Sequence, residues 1–289
     1  MKEFIPHSID LEITNYCENN CLMCPRDAIL RPKGMMDRVV FDQIKDFIRT
    51  WDALVTISGM GDPLLHPSLF EYIEKLNDEG IKNGIVINPL SLIKRKGALE
   101  DLARVKPGVI TVSFPSIVKT VFESLIPGAS FEDSVELVKI LHELSKAKRF
   151  GLRVSGLLTS MNSSERGEFI SFWKKRGINV WVRRCHSRGG NLKNGLPLRV
   201  ASEPNGMCWL FKVHAFFSWN GDMLSCCHDL KGETSMINVL ESRQDEIFKV
   251  RRMAFSRRPH FELCSRCDEE LKSPSGSLLR SFQRLSLEK

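Results

Sequence analysis

Short apolar runs alternate with amphipathic stretches along residues 8–184 of the chain. The runs have the length and the branched aliphatic content of strands, and they are SIDLEIT (8–14), ALVTIS (53–58), GIVIN (84–88), GVITVS (108–113), GLRVSGLLT (151–159) and INVWVRR (178–184). The stretches between them predict helices, which are VVFDQIKDFIRTW (39–51), SLFEYIEKLNDEG (68–80), a segment around LEDLARV (99–105), FEDSVELVKILHELSKAK (131–148) and SSERGEFISFWKKRG (163–177). Strand–helix units in series predict an α/β fold with a parallel sheet, either open or curled into a barrel. Active sites in such folds lie at the C-terminal ends of the strands.

The pattern changes after residue 184. Residues 185–207 are rich in Gly, Asn and Pro and are predicted to form a loop. The apolar segments VHAFFSW and DMLSC then flank Asn220-Gly221, which is a strong signal for a β-hairpin. A charged helix is predicted near 241–255, followed by a C-x-x-C pair and a polar tail. We therefore divide the chain into a main domain over residues 1–190 and a smaller one over 191–289.

Composition and charge exclude several classes of protein. The 289 residues are 42% hydrophobic and 27% charged, which is ordinary for a globular chain. No apolar run approaches the ~20 residues that span a bilayer, and the N-terminus has no signal-peptide pattern. A net charge of +7 is a mild basic excess, compatible with an anionic substrate or an acidic partner. We expect a cytoplasmic protein that binds neither nucleic acid nor membrane.

The nine cysteines are the most informative residues. In a cytosolic chain, clustered cysteines favour metal binding or catalysis over disulfides. Cys17, Cys21 and Cys24 form a C-x-x-x-C-x-x-C loop directly after the first predicted strand. Three thiolates on one short loop can hold three irons of a cubane cluster and leave the fourth iron open for a small molecule. The alternative is a structural zinc site with a fourth ligand such as His7.

The strand, the cysteine loop at this position and the strand–helix units that follow resemble the radical SAM enzymes, and the resemblance covers essentially the whole chain. It implies a partial (β/α)6 TIM-like barrel whose open iron binds S-adenosylmethionine and supplies a 5′-deoxyadenosyl radical for hydrogen abstraction. The segment Gly59-Met60-Gly61-Asp62-Pro63 resembles the G-G-E-P segment of the family, with Asp in place of Glu. The family's Arg after the fourth strand is absent, which leaves Lys119 or Arg153 as candidates to pair with the cofactor carboxylate. By this resemblance the cofactor-binding residues are Met23, Gly59, Gly61, Asp62, Pro63, Asn88, Ser113 and Arg153, although Asn88 and Ser113 are equally explained as strand-end caps.

A second group of cysteines lies in the last third of the chain and comprises Cys208, Cys226, Cys227, Cys264 and Cys267. Four thiolates can enclose a fully ligated [4Fe–4S] cluster or a structural zinc ion. The segment that begins at Cys208 resembles the SPASM extension of radical SAM enzymes, in its shorter twitch form with one auxiliary cluster. The resemblance runs through the hairpin and Asn238 to the C-x-x-C pair. The resemblance implies Cys208, Cys226, Cys264 and Cys267 as ligands, and therefore two [4Fe–4S] clusters in all. Cys227, the next residue in an extended segment, is expected to point to the opposite side.

Cys185 stands alone after the sixth predicted strand, where a barrel mouth would lie. It is either an inert buried thiol or a hydrogen-atom donor to a substrate radical. Basic residues surround it, namely Arg183, Arg184, His186 and Arg188. They are either exposed charges or groups that orient an anion or transfer a proton.

The resemblance to the dehydrogenase branch favours net oxidation of a substrate in a biosynthetic tailoring step, with the auxiliary cluster as electron acceptor. An epimerase that uses Cys185 and a peptide-modifying maturase are the alternatives within the family, and a zinc-binding interaction module is the alternative outside it. The first predicted strand begins at Ser8, which favours a small-molecule substrate, such as a sugar or another anionic metabolite, over a peptide with a leader. An electron donor such as flavodoxin or ferredoxin is the expected protein partner.

Overall fold

Six parallel β-strands follow one another along the N-terminal part of the chain, each followed by helical or looped crossover segments. The computed structural model describes residues 5–49, 51–198 and 208–269. The strands are β1 (Ser8–Leu11), β2 (Leu54–Ile57), β3 (Asn83–Ile87), β4 (Val109–Ser113), β5 (Gly151–Leu158) and β6 (Asn179–Arg184). Each of them overlaps one of the apolar runs from which a strand was predicted.

The crossover helices confirm the five predicted from periodicity and add two short ones. They are α1 (Arg38–Ile48), α2 (Leu69–Asp78), α3 (Pro89–Lys94), α4 (Ala98–Val105), α5 (Lys119–Leu125), α6 (Phe131–Lys148) and α7 (Arg166–Lys174). The additional helices α3 and α5 span only 6 and 7 residues, too few for a clear helical period. Gly80 and Gly177, which follow α2 and α7, adopt φ values of 67° and 73°, as glycines after helix ends often do.

Strand alternation separates an apolar outer face from a polar inner face. On β1, Ile9 and Leu11 are fully buried in the core that the helices cover, whereas Ser8 and Asp10 line an interior cavity. The same division recurs on β5, where Val154 lies in the core and Arg153 lines the cavity. Because successive side chains of a strand point to opposite faces, the sheet packs its helices on one side and encloses a polar space on the other.

The C-terminal segment extends this sheet. It contains α8 (Trp209–Val213), β7 (His214–Phe217), β8 (Asp222–Leu224), β9 (Ile237–Asn238), α9 (Gln244–Ser256) and α10 (Glu262–Ser265). The predicted hairpin is confirmed: β7 and β8 pair antiparallel across Asn220-Gly221, with Gly221 at φ 89°. The Asn238 side chain braces this turn by donating to the Asn220 carbonyl oxygen at 3.0 Å.

β7 also pairs in parallel with β1, which the sequence did not predict. The strand order is therefore β6-β5-β4-β3-β2-β1-β7-β8-β9 in one nine-stranded sheet. All four residues of β7 are buried, and pairing with β1 gives this apolar strand a partner on each edge. The proposed division at 190/191 stays a prediction. The last part of the predicted loop, residues 199–207, and the polar tail over 270–289 lie outside the described residues.

Two contacts dock the C-terminal segment on the rest of the chain. The Trp219 Nε1 atom donates to the Pro32 carbonyl oxygen at 3.1 Å. The Asp268 carboxylate accepts from the backbone nitrogen and the hydroxyl of Ser187 at 2.9 and 2.6 Å. Within the described residues, no helix combines the length and the apolar character needed to cross a membrane.

Candidate active site

The first three cysteines lie on a loop that follows β1. The Arg26 guanidinium donates to the Cys17 carbonyl oxygen at 3.4 Å and to the Asn19 carbonyl oxygen. The Cys24 backbone nitrogen donates to the Cys21 carbonyl oxygen at 3.1 Å, which closes a turn at the end of the motif. These backbone contacts hold three thiols on one side of a short, ordered loop.

The thiols are close enough to affect one another's ionisation. Burial, assisted by Cys24 and Cys17, raises the pKa of the Cys21 thiol to about 12. Asn88 opposes this shift because its Nδ2 atom donates to Cys21 Sγ at 3.4 Å. A half-buried set of three mutually interacting sulfurs fits a metal cluster, because a cluster binds thiolates and their protons are released on binding.

The glycines of the GMGDP segment serve the protein's own packing. A Cβ atom on Gly59 would lie 2.5 Å from Glu12 Cγ, and one on Gly61 would lie 2.1 Å from the Thr14 carbonyl oxygen. The segment after β2 therefore packs directly on the segment after β1. The closest approach at these glycines is therefore between two parts of the chain.

A buried ion pair, which the sequence analysis missed, fixes the same contact. Arg31 donates to both Glu12 carboxylate oxygens, at 2.7 and 3.2 Å, and both side chains are almost fully buried. Glu12 Oε2 also accepts from the Met60 backbone nitrogen at 2.9 Å. Glu12 continues the inward alternation of Ser8 and Asp10, which is the only signal in the sequence that could have singled it out.

Asp62 and Asn88 both cap short helices. Asp62 Oδ1 accepts from the Leu64 backbone nitrogen at 3.1 Å, and Asn88 Oδ1 accepts from the Leu90 backbone nitrogen at 2.9 Å. Burial raises the pKa of the Asp62 carboxyl, although a hydrogen bond with Ser91 opposes the shift. The capping alternative thus holds for Asn88, and its amide nitrogen reaches Cys21 as well.

A cavity of about 210 Å³ opens beside the cysteine loop. Most of the predicted site residues line it, namely Cys17, Cys21, Met23, Cys24, Gly59, Gly61, Asp62, Pro63, Asn88, Ser113 and Cys185. The structure thus brings residues from the ends of five strands to one place, at the edge where parallel strands end.

Arg153 does not line this cavity. In the register of the sheet Arg153 pairs with Thr111. Ser155 and Ser113 pair with each other two residues closer to the C-terminal ends of their strands, and both line the cavity. Arg153 therefore lies about 7 Å further from the C-terminal end of the sheet. Lys119 pairs with Glu132 at the surface. Neither residue is placed beside the cysteine loop, where Arg183 and Arg188 are the guanidinium groups that line the cavity.

Cys185 is buried directly after β6 and lines the cavity with the cysteine loop. Burial raises the pKa of its thiol to about 11, although Arg188 opposes this shift. The thiol therefore keeps its proton at neutral pH. It also belongs to a small apolar cluster with Leu125, Leu192 and Leu196.

The second group of cysteines lines an adjoining cavity of about 220 Å³. Cys208 precedes α8, Cys226 follows β8, and Cys264 and Cys267 lie in and just after α10. Burial raises the pKa of Cys226 well above its usual value, with Cys227, Cys267 and Cys208 adding to the shift. These mutual effects place Cys226 among the other predicted ligands.

Cys227 has different neighbours. Its Sγ atom lies 3.8 Å from Arg188 Nη1. Burial raises the pKa of Cys227 to about 12 although Arg188 opposes the shift, and Asp10 adds to it. Cys227 lines the same cavity as Cys226 and lies in a turn rather than in an extended segment. The choice of Cys226 over Cys227 as a ligand therefore stays a prediction.

The sequence analysis also missed a buried cluster beside this second group. His186 Nε2 and His228 Nε2 lie 2.9 and 3.6 Å from one Glu269 oxygen. His228 Nδ1 lies 4.0 Å from Cys267 Sγ. Despite burial, His186 and His228 hold the pKa of Glu269 well below its usual range. The cluster joins the loop after β6 to the C-terminal cysteines, a contact between residues too distant in sequence for spacing to reveal.

The two cavities share a wall formed by Ser58, Gly59, Met60, Val86, Ser155, Arg183 and Arg188. The three-cysteine loop lines the first cavity and five further cysteines line the second, which is a donor set that fits iron–sulfur clusters. The model of the radical SAM superfamily matches residues 11–170, and that of the SPASM iron-sulfur cluster-binding domain matches residues 208–268. The chain belongs to the radical SAM superfamily, and its cofactors are S-adenosylmethionine and [4Fe–4S] clusters.

Solved structures of the same architecture support this assignment of the fold. Streptococcus suis SuiB bound to its precursor peptide SuiA superposes with a TM-score of 0.72 at 16% identity, over 93% of this chain and 71% of SuiB. BtrN in complex with AdoMet and 2-DOIA gives 0.62 at 15% identity, over 92% and 94% of the two chains. These similarities establish the predicted parallel α/β partial barrel with a C-terminal extension.

A curated relative aligns over part of the chain. The tungsten-containing aldehyde ferredoxin oxidoreductase cofactor-modifying protein of Pyrococcus furiosus is 26% identical over 180 residues, or 60% of this chain. The match covers 49% of that relative, and a second match, to a probable GTP 3′,8-cyclase of Methanothermobacter marburgensis, covers 32% of it. The chain thus spans at most about half of the length of these relatives.

Proposed function

We propose that this radical SAM protein is an oxidoreductase that removes two hydrogens from a small-molecule substrate. The observation that carries the proposal is the shared wall between the two cavities. A substrate held at that wall would lie between the three-cysteine loop and the four C-terminal cysteines. This is the arrangement that hydrogen abstraction followed by electron removal requires.

The roles of the first cavity follow from its lining. Cys17, Cys21 and Cys24 would hold the ligand-accessible cluster, and Met23, Asn88 and Ser113 would line the space for the cofactor. When bound, cluster and S-adenosylmethionine supply a 5′-deoxyadenosyl radical that removes a hydrogen atom from carbon. The two glycines pack on the segment after β1, and the Asp62 backbone nitrogen donates to the Tyr16 carbonyl oxygen at 2.8 Å, so these contacts hold the GMGDP segment in place. Gly59, Gly61, Asp62 and Pro63 line the first cavity.

The second cavity offers acceptors for the proton and the electron that remain. Asp10 and His214 line it, with Asp10 Oδ2 3.3 Å from His214 Nε2. Although burial opposes ionisation, His214 and Ser58 keep the pKa of Asp10 below its usual range, so the group is an ionised carboxylate at neutral pH. It is the proposed proton acceptor because it lines the cavity in that form. Cys208, Cys226, Cys264 and Cys267 would hold an enclosed cluster that takes one electron. Loss of a hydrogen atom, a proton and an electron balances as a two-electron oxidation.

The test is anaerobic turnover of the reconstituted enzyme with candidate small molecules, followed by mass measurement. Oxidation predicts a product lighter by two hydrogens and one 5′-deoxyadenosine for each product formed. A product of unchanged mass would refute oxidation. Peptides should be tested as substrates in a parallel set of reactions, because SuiB was crystallised with a precursor peptide. A flavodoxin or ferredoxin is the proposed electron donor, and the cytoplasm the proposed location.

Epimerisation is a second candidate because the protonated Cys185 thiol lines the first cavity. An epimerase must return a hydrogen atom to the opposite face of the substrate radical, and a thiol can supply it. In deuterated water, epimerisation predicts solvent deuterium at one carbon and its loss in Cys185→Ala, which would still form 5′-deoxyadenosine. Oxidation predicts that the same variant turns over almost normally.

A further inference from the structure

Two arginines inside the barrel lack the partners that buried arginines elsewhere in the described structure have. Arg153 on β5 and Arg183 on β6 both line the second cavity, and both lie over the ring of Trp181, at 5.0 and 4.7 Å from its centroid. Arg153 donates to Thr111 Oγ1 at 2.9 Å, and the Nε atoms of both arginines are buried without a hydrogen-bond partner. Neither guanidinium forms an ion pair with any residue that the structure describes.

Two other buried arginines show the usual solution. Arg31 donates to both oxygens of Glu12. Arg251 donates to the carbonyl oxygens of Phe211, Lys212 and His214. Both terminal nitrogens of Arg31 and the Nη2 atom of Arg251 therefore have fixed acceptors within the protein, whereas the Nε atoms of both residues and Arg251 Nη1 are buried without a partner. Arg153 and Arg183 differ in that they line a cavity.

The charges around the pair compensate it only in part. Burial and Arg188 lower the pKa of Arg183, although Glu269, Cys227 and Asp10 oppose the shift. Burial and the neighbouring Arg183 lower the pKa of Arg153 to about 10, and no carboxylate contributes to the shift. Asp10, the nearest acid on β1, is already paired with His214 and accepts from Ser58 at 3.0 Å. Glu269 is paired with His186 and His228. Two cations held together in a desolvated site are costly unless an anion lies between them.

We propose that the barrel interior binds an oxyanion of the substrate, a carboxylate or a phosphate, through Arg153 and Arg183. This inference rests on the proposed function, since it names the class of substrate for the same cavity. Planar guanidinium groups suit both anions because they present paired N–H donors. An anion held there would place the remainder of the substrate toward the wall that the two cavities share. Arg188, which contacts Cys227, is not needed for this role.

The first experiment measures equilibrium binding to the reconstituted enzyme saturated with S-adenosylmethionine. Isothermal titration uses malonate, inorganic phosphate and uncharged malonamide as probes, in buffer without other oxyanions. We expect one of the anions to bind and malonamide not to bind. Binding of malonate would identify a carboxylate as the substrate group, and binding of inorganic phosphate would identify a phosphate. Absence of binding by both anions would overturn the proposal.

Substitution then locates the anion. Arg153→Met and Arg183→Met should each weaken the anion that binds by on the order of tenfold or more, because a charged hydrogen-bond donor is lost. Arg176→Gln is the matched control, since Arg176 also lies over an aromatic ring, Phe172, but at the surface. Equal affinity in wild type and Arg153→Met would refute the assignment. A tenfold loss of S-adenosylmethionine affinity in Arg153→Met would also refute the assignment, because it would show that Arg153 binds the cofactor carboxylate.

Thermal unfolding separates a binding role from a structural one. Without anion, Arg153→Met should melt at a higher temperature than the wild type, because an uncompensated buried charge is replaced by an apolar side chain of similar length. Arg251→Met should melt at a lower temperature, because three backbone carbonyls lose their donor. A lower melting temperature for Arg153→Met would mark Arg153 as structural and overturn the proposal.

The two hypotheses fail in different ways. If the anions bind as expected but the product of turnover has an unchanged mass, the proposed oxidation is wrong and the anion site stands. If the product is lighter by two hydrogens and neither anion binds, the proposed oxidation stands and the anion site is wrong.

Discussion

The two cysteine groups are built in opposite ways. Cys17, Cys21 and Cys24 lie within eight residues of one loop, and their sulfurs face a cavity. The C-terminal group draws its four predicted ligands from segments before α8, after β8 and around α10, which span residues 208–267. A site on one loop keeps a side open for a ligand, whereas a site gathered from several segments can be enclosed on all sides.

Their supports differ in the same sense. The loop of the first group is held by backbone acceptors for Arg26 and by one side-chain donor, Asn88, to a sulfur. The second group is braced by tertiary contacts, such as the Cys208 backbone nitrogen donating to His260 Nε2 at 3.1 Å. We therefore expect substitutions at the first site to disturb folding less than substitutions at the second, and to reduce cofactor cleavage more. The predictions below test that contrast.

The largest expected effect is the loss of all chemistry at the open loop. Replacing Cys17, Cys21 and Cys24 together by Ala should abolish 5′-deoxyadenosine formation, since no cluster can then bind the cofactor. Iron content should fall from about eight to about four per chain, because the enclosed site is built from other segments. Anaerobic iron analysis and chromatography of the nucleoside products measure both. Undiminished 5′-deoxyadenosine would refute the assignment of the loop.

The enclosed site should separate cofactor cleavage from product formation. Cys208→Ala should lose about four irons and continue to form 5′-deoxyadenosine slowly, while the oxidised product disappears for lack of an electron acceptor. Circular dichroism checks that the sheet remains folded, since Cys208 lies just before α8, which leads directly into β7. Product formation without the second cluster would contradict an electron-acceptor role.

The same contrast explains what the sequence could reveal. The open loop was predicted from spacing alone, because its three sulfurs are neighbours in the chain, and the strands were predicted because alternation and length are local signals. The Glu12–Arg31 pair, the Asp10–His214 pair and the parallel pairing of β7 with β1 were not predicted. Each joins residues brought together only by the fold; Asp10 and His214, for instance, are 204 positions apart. Arg153 was expected beside the cofactor because its strand was known but its depth in the barrel was not.

A smaller and more selective effect is expected from the adjacent pair Cys226 and Cys227. Cys226→Ala should lose the enclosed cluster, because its sulfur lies among the other predicted ligands. Cys227→Ala should keep the full iron content, because its sulfur faces Arg188 in the barrel. Each variant is the control for the other. Iron loss in Cys227→Ala with retention in Cys226→Ala would reverse the assignment.

The smallest expected effect concerns Asn88, which has two separable roles. Its Oδ1 atom caps α3 and its Nδ2 atom donates to Cys21 Sγ. Asn88→Ala should lose the cap, at a cost of about 1 kcal/mol in the free energy of unfolding. It should also lower the reduction potential of the cluster on the first loop, because a hydrogen bond to a sulfur stabilises the more negative, reduced state.

Asn88→Asp separates these effects, because Asp keeps a capping oxygen but has no N–H donor and brings a negative charge toward the sulfur. Its free energy of unfolding should match that of the wild type, while the potential falls at least as far as in Asn88→Ala. Redox titration followed by electron paramagnetic resonance measures the potential of the first cluster, and the signal of the enclosed cluster provides an internal reference. If the potential of the first cluster stays at the wild-type value in both variants, the contact between Asn88 and Cys21 has no role in tuning the open site.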